Sequence, residues 1–256
     1  MENNMKIQYC SDLHLEFLDN RKWVLENPII PKGDVLILAG DIVLFKEIHQ
    51  HQKFFDYISE HFEHTYWIPG NHEYYNSDIS KRSGSFEEKI RDNVTLLNNT
   101  VKNINGVRLV FSTLWSNIST EKQFIIEQSL SDFRVIRKNE KRLTVEDYNQ
   151  LHLESRLFLE ETFQTKTNNP TVVITHHPPT FINYPEKYAH SHINEAFGTE
   201  MSSVIENNEI EYWIYGHHHS NVEDFRIGKT KLITNQLGYV KYKENENFNN
   251  SSVFSI

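Results

Sequence analysis

Asp34-Val35-Leu36-Ile37-Leu38-Ala39-Gly40-Asp41 is the stretch whose reading decides the fold. Its six residues Asp34–Ala39 form a nearly unbroken apolar run, which predicts a strand covered on both faces, as in a parallel sheet packed between layers. The run ends abruptly in a glycine followed by a carboxylate, where an α/β fold gathers its ligands at the carboxyl ends of strands. Four other short segments repeat the pattern of strand followed by ligand-type side chains. They are Asp12-Leu13-His14 after Lys6–Ser11, and Gly70-Asn71-His72-Glu73 after His64–Ile68. His176-His177-Pro178-Pro179 follows Thr171–Thr175, and Gly216-His217-His218-His219 follows Glu211–Tyr215.

Working outward, Phe45–Phe62 reads as a helix with Phe54, Tyr57, Ile58 and Phe62 at helical spacing, and Phe86–Arg91 as a helix leading into a strand at Val94–Leu97. Val101–Ile104 and Val107–Ser112 flank Asn105-Gly106, a strong hairpin signal. A mostly helical insert is expected at about 118–166. It opens with Glu121–Leu130 and continues with a longer helix capped by Thr144, with Glu146 and Asp147 in its first turn. Strands return at Val222–Arg226 and Lys231–Thr234, and a polar tail from Glu244 to Ser252 leads to a last strand, Val253–Ile256. No linker or repeat divides the 256 residues, so a single domain spanning 1–256 is expected.

Composition narrows the function. Thirty-five acidic against 26 basic residues give a formal charge of −9, the wrong sign for a surface built on a nucleic-acid backbone. The lone Cys10 rules out an intrachain disulfide and suits a reducing cytoplasm, the expected location. Met1 to Lys6 is polar and has no signal-peptide pattern, and no apolar run reaches the ~20 residues needed to span a bilayer, so no membrane partner is expected. Nothing in the sequence specifies an oligomeric state.

Each ligand segment alone is weak: Gly-Asp after a strand is commonplace, and three consecutive histidines can be a solvated cluster. Together they offer carboxylate, imidazole and amide oxygen with no thiolate, a set that suits Mn, Fe or Zn better than a soft metal or calcium. This ordered set resembles the calcineurin-like metallophosphoesterases along almost the whole chain. Ser112-Thr113-Leu114-Trp115 and Asn235-Gln236-Leu237-Gly238-Tyr239 look like stretches of a bacterial branch of predicted phosphohydrolases, although an arginine expected near Gln236 and Leu237 is missing.

The resemblance implies a four-layer α/β/β/α sandwich of two mixed sheets flanked by helices, and two divalent metal ions, most readily Mn, Fe or Zn. Asp12, His14 and His219 would hold one metal, and Asn71, His176 and His217 the other. Asp41 would bridge them and act with His72 as a catalytic residue, His72 stabilising the transferring phosphoryl group or protonating the leaving group. His177, His218, Tyr184 and Trp115 are candidates for lining the substrate site. The basic cluster Arg134, Arg137, Lys138, Lys141 and Arg142 reads first as a solvated face and second as a lip for an anionic substrate. The expected activity is hydrolysis of phosphoric esters, with a lean to a phosphodiesterase or broad-specificity phosphatase acting on a small phosphorylated substrate. A nuclease acting on DNA or RNA is the alternative enzyme, and a non-catalytic scaffold of the same fold the alternative of another class. His72, together with a complete ligand set, argues against the scaffold.

Overall fold

The computed structural model describes residues 4–256. In chain order the regular elements are β1 (Lys6–Cys10), α1 (Leu18–Glu26), β2 (Val35–Ala39), α2 (Gln52–His61), β3 (His64–Ile68), β4 (Phe86–Arg91) and β5 (Val94–Asn98). Next come β6 (Thr100–Ile104), β7 (Val107–Ser112), α3 (Gln123–Ser129), α4 (Asp132–Val135), β8 (Arg137–Lys138), β9 (Lys141–Arg142) and α5 (Val145–Gln164). The chain closes with β10 (Thr171–Thr175), α6 (Ser202–Glu206), β11 (Tyr212–Tyr215), β12 (Phe225–Ile227), β13 (Thr230–Thr234) and β14 (Val253–Ser255).

Two six-stranded mixed sheets result, in the orders β14-β1-β2-β3-β5-β4 and β12-β13-β11-β10-β7-β6. In each, four parallel strands are flanked by an antiparallel strand on either edge. Period-two alternation builds the layers. Val35, Ile37 and Ala39 of β2 meet Val172 and Ile174 of β10 between the sheets, in one apolar cluster. Leu36 and Leu38 face the other way, into the cluster that holds Phe55 and Ile58 of α2. On the far side Val173 and Trp213 pack with Leu159 of α5 and Ile205 of α6. The architecture is the four-layer α/β/β/α sandwich.

Several boundaries differ from the sequence reading. Phe86–Arg91 is a strand, β4, not a helix: Phe86, Glu88 and Ile90 alternate with the exposed Glu87 and Lys89 as it pairs antiparallel with β5. Its charged outer residues, including Glu87 in an ion pair with Lys102, suit an open sheet edge. Phe45–Phe62 divides at His51 into a 3-10 turn, Phe45–Gln50, and α2. The first strand of the second sheet's outer hairpin, β12, lies at Phe225–Ile227 rather than Val222–Arg226. Helices α1 and α6 have no counterpart in the sequence reading. Between positions 118 and 166 lie α3, α4 and the β8–β9 hairpin, together with α5, whose C-terminal half belongs to the layer over the second sheet.

Two local expectations match in detail. Thr144 caps α5 in a reciprocal box with Asp147, each satisfying a backbone N–H of the other. Asn105 and Gly106 both adopt positive φ, 49° and 80°, the primed-turn geometry that suits a two-residue hairpin.

Candidate metal centre

The carboxyl ends of β1, β2 and β3 in one sheet and β10 and β11 in the other meet at one place. A parallel bridge from Ser11 to Gln236 ties the two sheets there. The loops leaving these strands are unusual in backbone. Asp12, His14, Asp41, His217 and His219 all sit in the left-handed region, with φ between 47° and 79°. For an L-residue that conformation costs on the order of 1 kcal/mol, and it concentrates at functional sites. Gly40, at φ 92°, and Gly70 allow the close approach: a Cβ on Gly40 would stand 2.3 Å from His176 Nδ1, and one on Gly70 2.2 Å from Asp41 Oδ1.

Two groups of donor atoms form around Asp41, next to a third made of His14, Glu16 and His72. Asp12, His14, Asp41 and His219 place one ligand atom each within 4.8 Å of one another, and so do Asp41, His176 and His217. Asp41 belongs to both. Its Oδ2 lies 3.7 Å from His14 Nε2 and 3.5 Å from His176 Nε2, while its Oδ1 accepts the His72 backbone N–H at 2.9 Å. One carboxylate oxygen therefore stands between the two groups. Within them, His14 Nε2 is 2.9 Å from His219 Nε2, and His176 Nε2 is 3.1 Å from His217 Nδ1. Ligand atoms bound at about 2.1 Å to one cation at right angles stand roughly 3 Å apart, so these separations fit a shared ion. Asn71 supplies an independent sign: its side-chain amide donates to Asp132 Oδ1 at 3.0 Å, while its Oδ1 is buried with no partner. A buried orphan carbonyl oxygen is costly unless a cation meets it. The donor set and the orphan oxygen both fit a pair of divalent metals.

The ring tautomers are fixed from behind. His14 Nδ1 donates to Glu16 Oε1 at 3.1 Å, His219 Nδ1 to Glu244 Oε2 at 2.8 Å and His176 Nδ1 to the Ala39 carbonyl at 2.9 Å, which leaves each Nε2 to face inward. Burial opposes charge on His176, but the Asp41 carboxylate outweighs it and raises the imidazole to about 9. At His219 burial is likewise overcome, by Asp12 and Glu244, and the group reaches about 10. Without metal, these buried carboxylates draw protons onto the imidazoles; with metal, a cation meets the same demand.

His72 leans on the same scaffold. Its Nδ1 shares Glu16 Oε1 at 3.0 Å, its Nε2 meets the Tyr239 hydroxyl at 3.2 Å, and its ring stacks on Tyr75 with centroids 4.1 Å apart. Beneath the loops Glu73 is fully buried and accepts four N–H groups: the backbones of Asp41, Ile42 and Gly70 and the Trp67 indole. Burial, then the charge of Asp41, push its carboxyl up to about 8, against the pull of the Ile42 and Gly70 donors.

The family model described as calcineurin-like phosphoesterase matches residues 5–221. The chain belongs to that family. It is a metal-dependent phosphoester hydrolase by membership. An uncharacterized protein of Acanthamoeba polyphaga mimivirus, L509, is 34% identical over 273 residues, covering 95% of this chain and 94% of the viral one. Among solved structures, the phosphopantetheinyl hydrolase of Mycobacterium tuberculosis shares the fold, with a TM-score of 0.70 and 15% identity over 100% of this chain and 97% of that one.

A cleft of about 320 Å³ opens over the phosphoesterase's clustered side chains, with Asp41, Asn71, His72, His217 and His219 among the residues that line it. His218 and Tyr184 also line it. Trp115 and His177 do not. Trp115 is 2% exposed and packs in the core against Tyr74 and Tyr148, because the loop after β7 folds inward. His177 is fully buried behind the cleft with its ring against Trp115, and burial, then the neighbouring His176, lower it to about 3. The basic stretch expected as a possible lip is turned aside in the β8–β9 hairpin, where Lys138 pairs with Asp147 and Arg137 donates to the Glu140 carbonyl. Sequence reading missed Glu16, Glu73, Asp132 and Glu244, which hold the central side chains in place; Asp132 and Glu244 also line the cleft. Glu16 carries a readable signal, two residues after His14 in the same segment. Asp132 and Glu244 lie far in sequence from the side chains they hold. No helix among the described residues is long and apolar enough to cross a membrane.

Proposed function

We propose that this phosphoesterase hydrolyses a small phosphorylated substrate, a phosphodiester before a monoester, at a dinuclear centre. Asp12, His14 and His219 would hold one metal, Asn71, His176 and His217 the other, and Asp41 would serve both groups. The carrying observation is Asp41 Oδ2 standing between the imidazoles of His14 and His176, in a cleft that Asn71, with its orphan oxygen, also lines. Two divalent cations there, Mn, Fe or Zn by ligand type, would supply Lewis-acid polarisation of the phosphoryl group and activation of water near neutral pH.

The chain's own residues do the rest. His14, His176 and His219 present Nε2 because Glu16, Ala39 and Glu244 hold the opposite nitrogen. The backbone N–H of His72 fixes the second oxygen of Asp41, so the carboxylate cannot rotate away. His72 itself lines the cleft, and its Nε2–H, on exchanging the Tyr239 hydroxyl for substrate, donates to a phosphoryl oxygen or to the departing alkoxide. Tyr239 and Glu16 hold that ring at both nitrogens. The negative overall charge favours a small ester over a polynucleotide, and the single buried Cys10 supports a reducing cytoplasm as the place of work.

The test is metal content together with manganese-dependent hydrolysis of bis-p-nitrophenyl phosphate and p-nitrophenyl phosphate. Two metals per chain and a diester preference lost in His72→Ala are expected. Phosphopantetheinyl esters, the substrates in the name of the mycobacterial neighbour, belong in the follow-up screen. Two metals bound, with no hydrolysis of mono-, di- or pyrophosphate esters above an Asp41→Asn control, would overturn the proposal.

A further inference from the structure

The walls of the cleft differ from its floor. No lysine or arginine among the described residues lines it. The wall contributes two carboxylates instead, Asp132 and Glu244, together with the aromatic rings of Tyr184, Tyr188 and Phe197. Two of the nearby cations are directed elsewhere. Arg134 donates to the Gln128 carbonyl, and Lys138 pairs with Asp147. Lys187 is the exception at the rim: it lies over the ring of Tyr188, 4.7 Å from the centroid, and its charge offsets part of that of Glu244 but not of Asp132. A site that must hold a second phosphate ordinarily supplies arginine or lysine for it. Here any further anionic group beyond the one at the centre would face carboxylates in a partly desolvated space, where like charges repel strongly.

From these walls we infer that the cleft selects a singly charged phosphodiester whose alcohol is uncharged and ring-bearing, and rejects multiply phosphorylated nucleosides and polynucleotides. The inference rests on the phosphoesterase reading for the position of the phosphate, and on the walls for the rest. Tyr184 and Tyr188 offer faces for a ring, and Phe197 extends that surface down to His217, its ring 4.8 Å from the imidazole. A volume of about 320 Å³ accommodates one ring system beside a phosphate.

The decisive experiment measures binding as well as turnover, using a series that keeps one ring and changes only charge. Adenosine 5′-(methyl phosphate), adenosine 5′-monophosphate, adenosine 3′,5′-bisphosphate and a five-nucleotide deoxyadenylate avoid the pyrophosphate groups that would strip metal. Each is titrated calorimetrically into manganese-loaded protein and tested as a competitor of bis-p-nitrophenyl phosphate hydrolysis. The methyl ester should bind tightest, and the bisphosphate and the oligonucleotide at least about tenfold more weakly. Ser131→Arg, which sets a cation in the wall, should narrow that gap severalfold. Tyr188→Ala should weaken the adenosine ester more than dimethyl phosphate. Bisphosphate or oligonucleotide binding as tight as the methyl ester would overturn the inference, and so would a gap that Ser131→Arg leaves unchanged. Equal losses for adenosine ester and dimethyl phosphate in Tyr188→Ala would remove its ring-binding half. The expected ranking of affinities without any hydrolysis would support the selectivity and count against the catalytic reading instead.

Discussion

The two sheets share one plan, four parallel strands between antiparallel edges, yet they bring different chemistry to their junction. The loops of the first sheet supply Asp12, His14, Asp41, Asn71 and His72, which include every carboxylate and amide proposed as a ligand. The second supplies only imidazoles, His176, His217 and His219. The first is also the more heavily braced, since Glu73 ties the ends of β2 and β3 together through buried N–H groups. One half is therefore a rigid cradle of carboxylates, and the other closes it with imidazoles alone. His217 even donates its backbone N–H to both oxygens of Asp12, at 3.1 Å each, so the closing half is docked onto the cradle by the cradle's own charge.

That contrast can be broken at four points. The largest effect should come from Asp41→Asn, which removes the only charge common to both donor groups. Turnover should fall about a thousandfold and metal content drop below two per chain, whereas His176→Ala should lose less, because Asn71 and Asp41 remain. Turnover of the two variants and their metal stoichiometry check this. Next comes the brace. Glu73→Ala leaves three buried backbone N–H groups without an acceptor and should lower stability by about 3 kcal/mol in urea unfolding, a larger loss than any substitution of a second-sheet imidazole.

Asp132 comes third. It is 3% exposed and holds the Asn71 amide and the Tyr75 hydroxyl, at 3.0 and 2.7 Å. Asp132→Ala should reduce kcat by about ten- to a hundredfold by freeing Asn71 to rotate, with Asp132→Asn recovering part of it through its remaining oxygen. Equal losses in the two variants would mean that orientation of Asn71 is not what Asp132 provides. The smallest effect sharpens the comparison from outside the centre. Thr144→Ala removes the cap of α5 and should cost about 1 kcal/mol of stability while leaving turnover unchanged.

The residues that converge at the junction were legible because each closes an apolar strand, and strand ends are where a layered fold brings distant positions together. The braces were not. Glu73 stands in the same Gly-Asn-His-Glu segment as Asn71, but its role depends on β2 and β3 lying side by side, which a single segment does not display. Asp132 reaches Asn71 across 61 positions and Glu244 reaches His219 across 25, from a short helix and a tail whose sequences carry no periodic signal. Phe86–Arg91 was misread because six residues with two adjacent glutamates fit a helical turn as well as an edge strand, and only pairing with β5 decides between them. Trp115 misled in the opposite sense, since an aromatic after a strand faces a cleft or a core with equal ease until the loop's direction is known.

The left-handed backbone at Asp12, His14, Asp41, His217 and His219 has a consequence for how such a protein drifts. At each of these positions glycine relieves the backbone, by on the order of 1 kcal/mol, while deleting a metal-facing side chain. Selection for persistence alone would push all five toward glycine and yield a sturdier, inert sandwich. Keeping carboxylates and imidazoles at these corners needs continuous pressure from catalysis, and a descendant relieved of that pressure should lose its chemistry first at the corners of its loops, long before the sheets that carry them change.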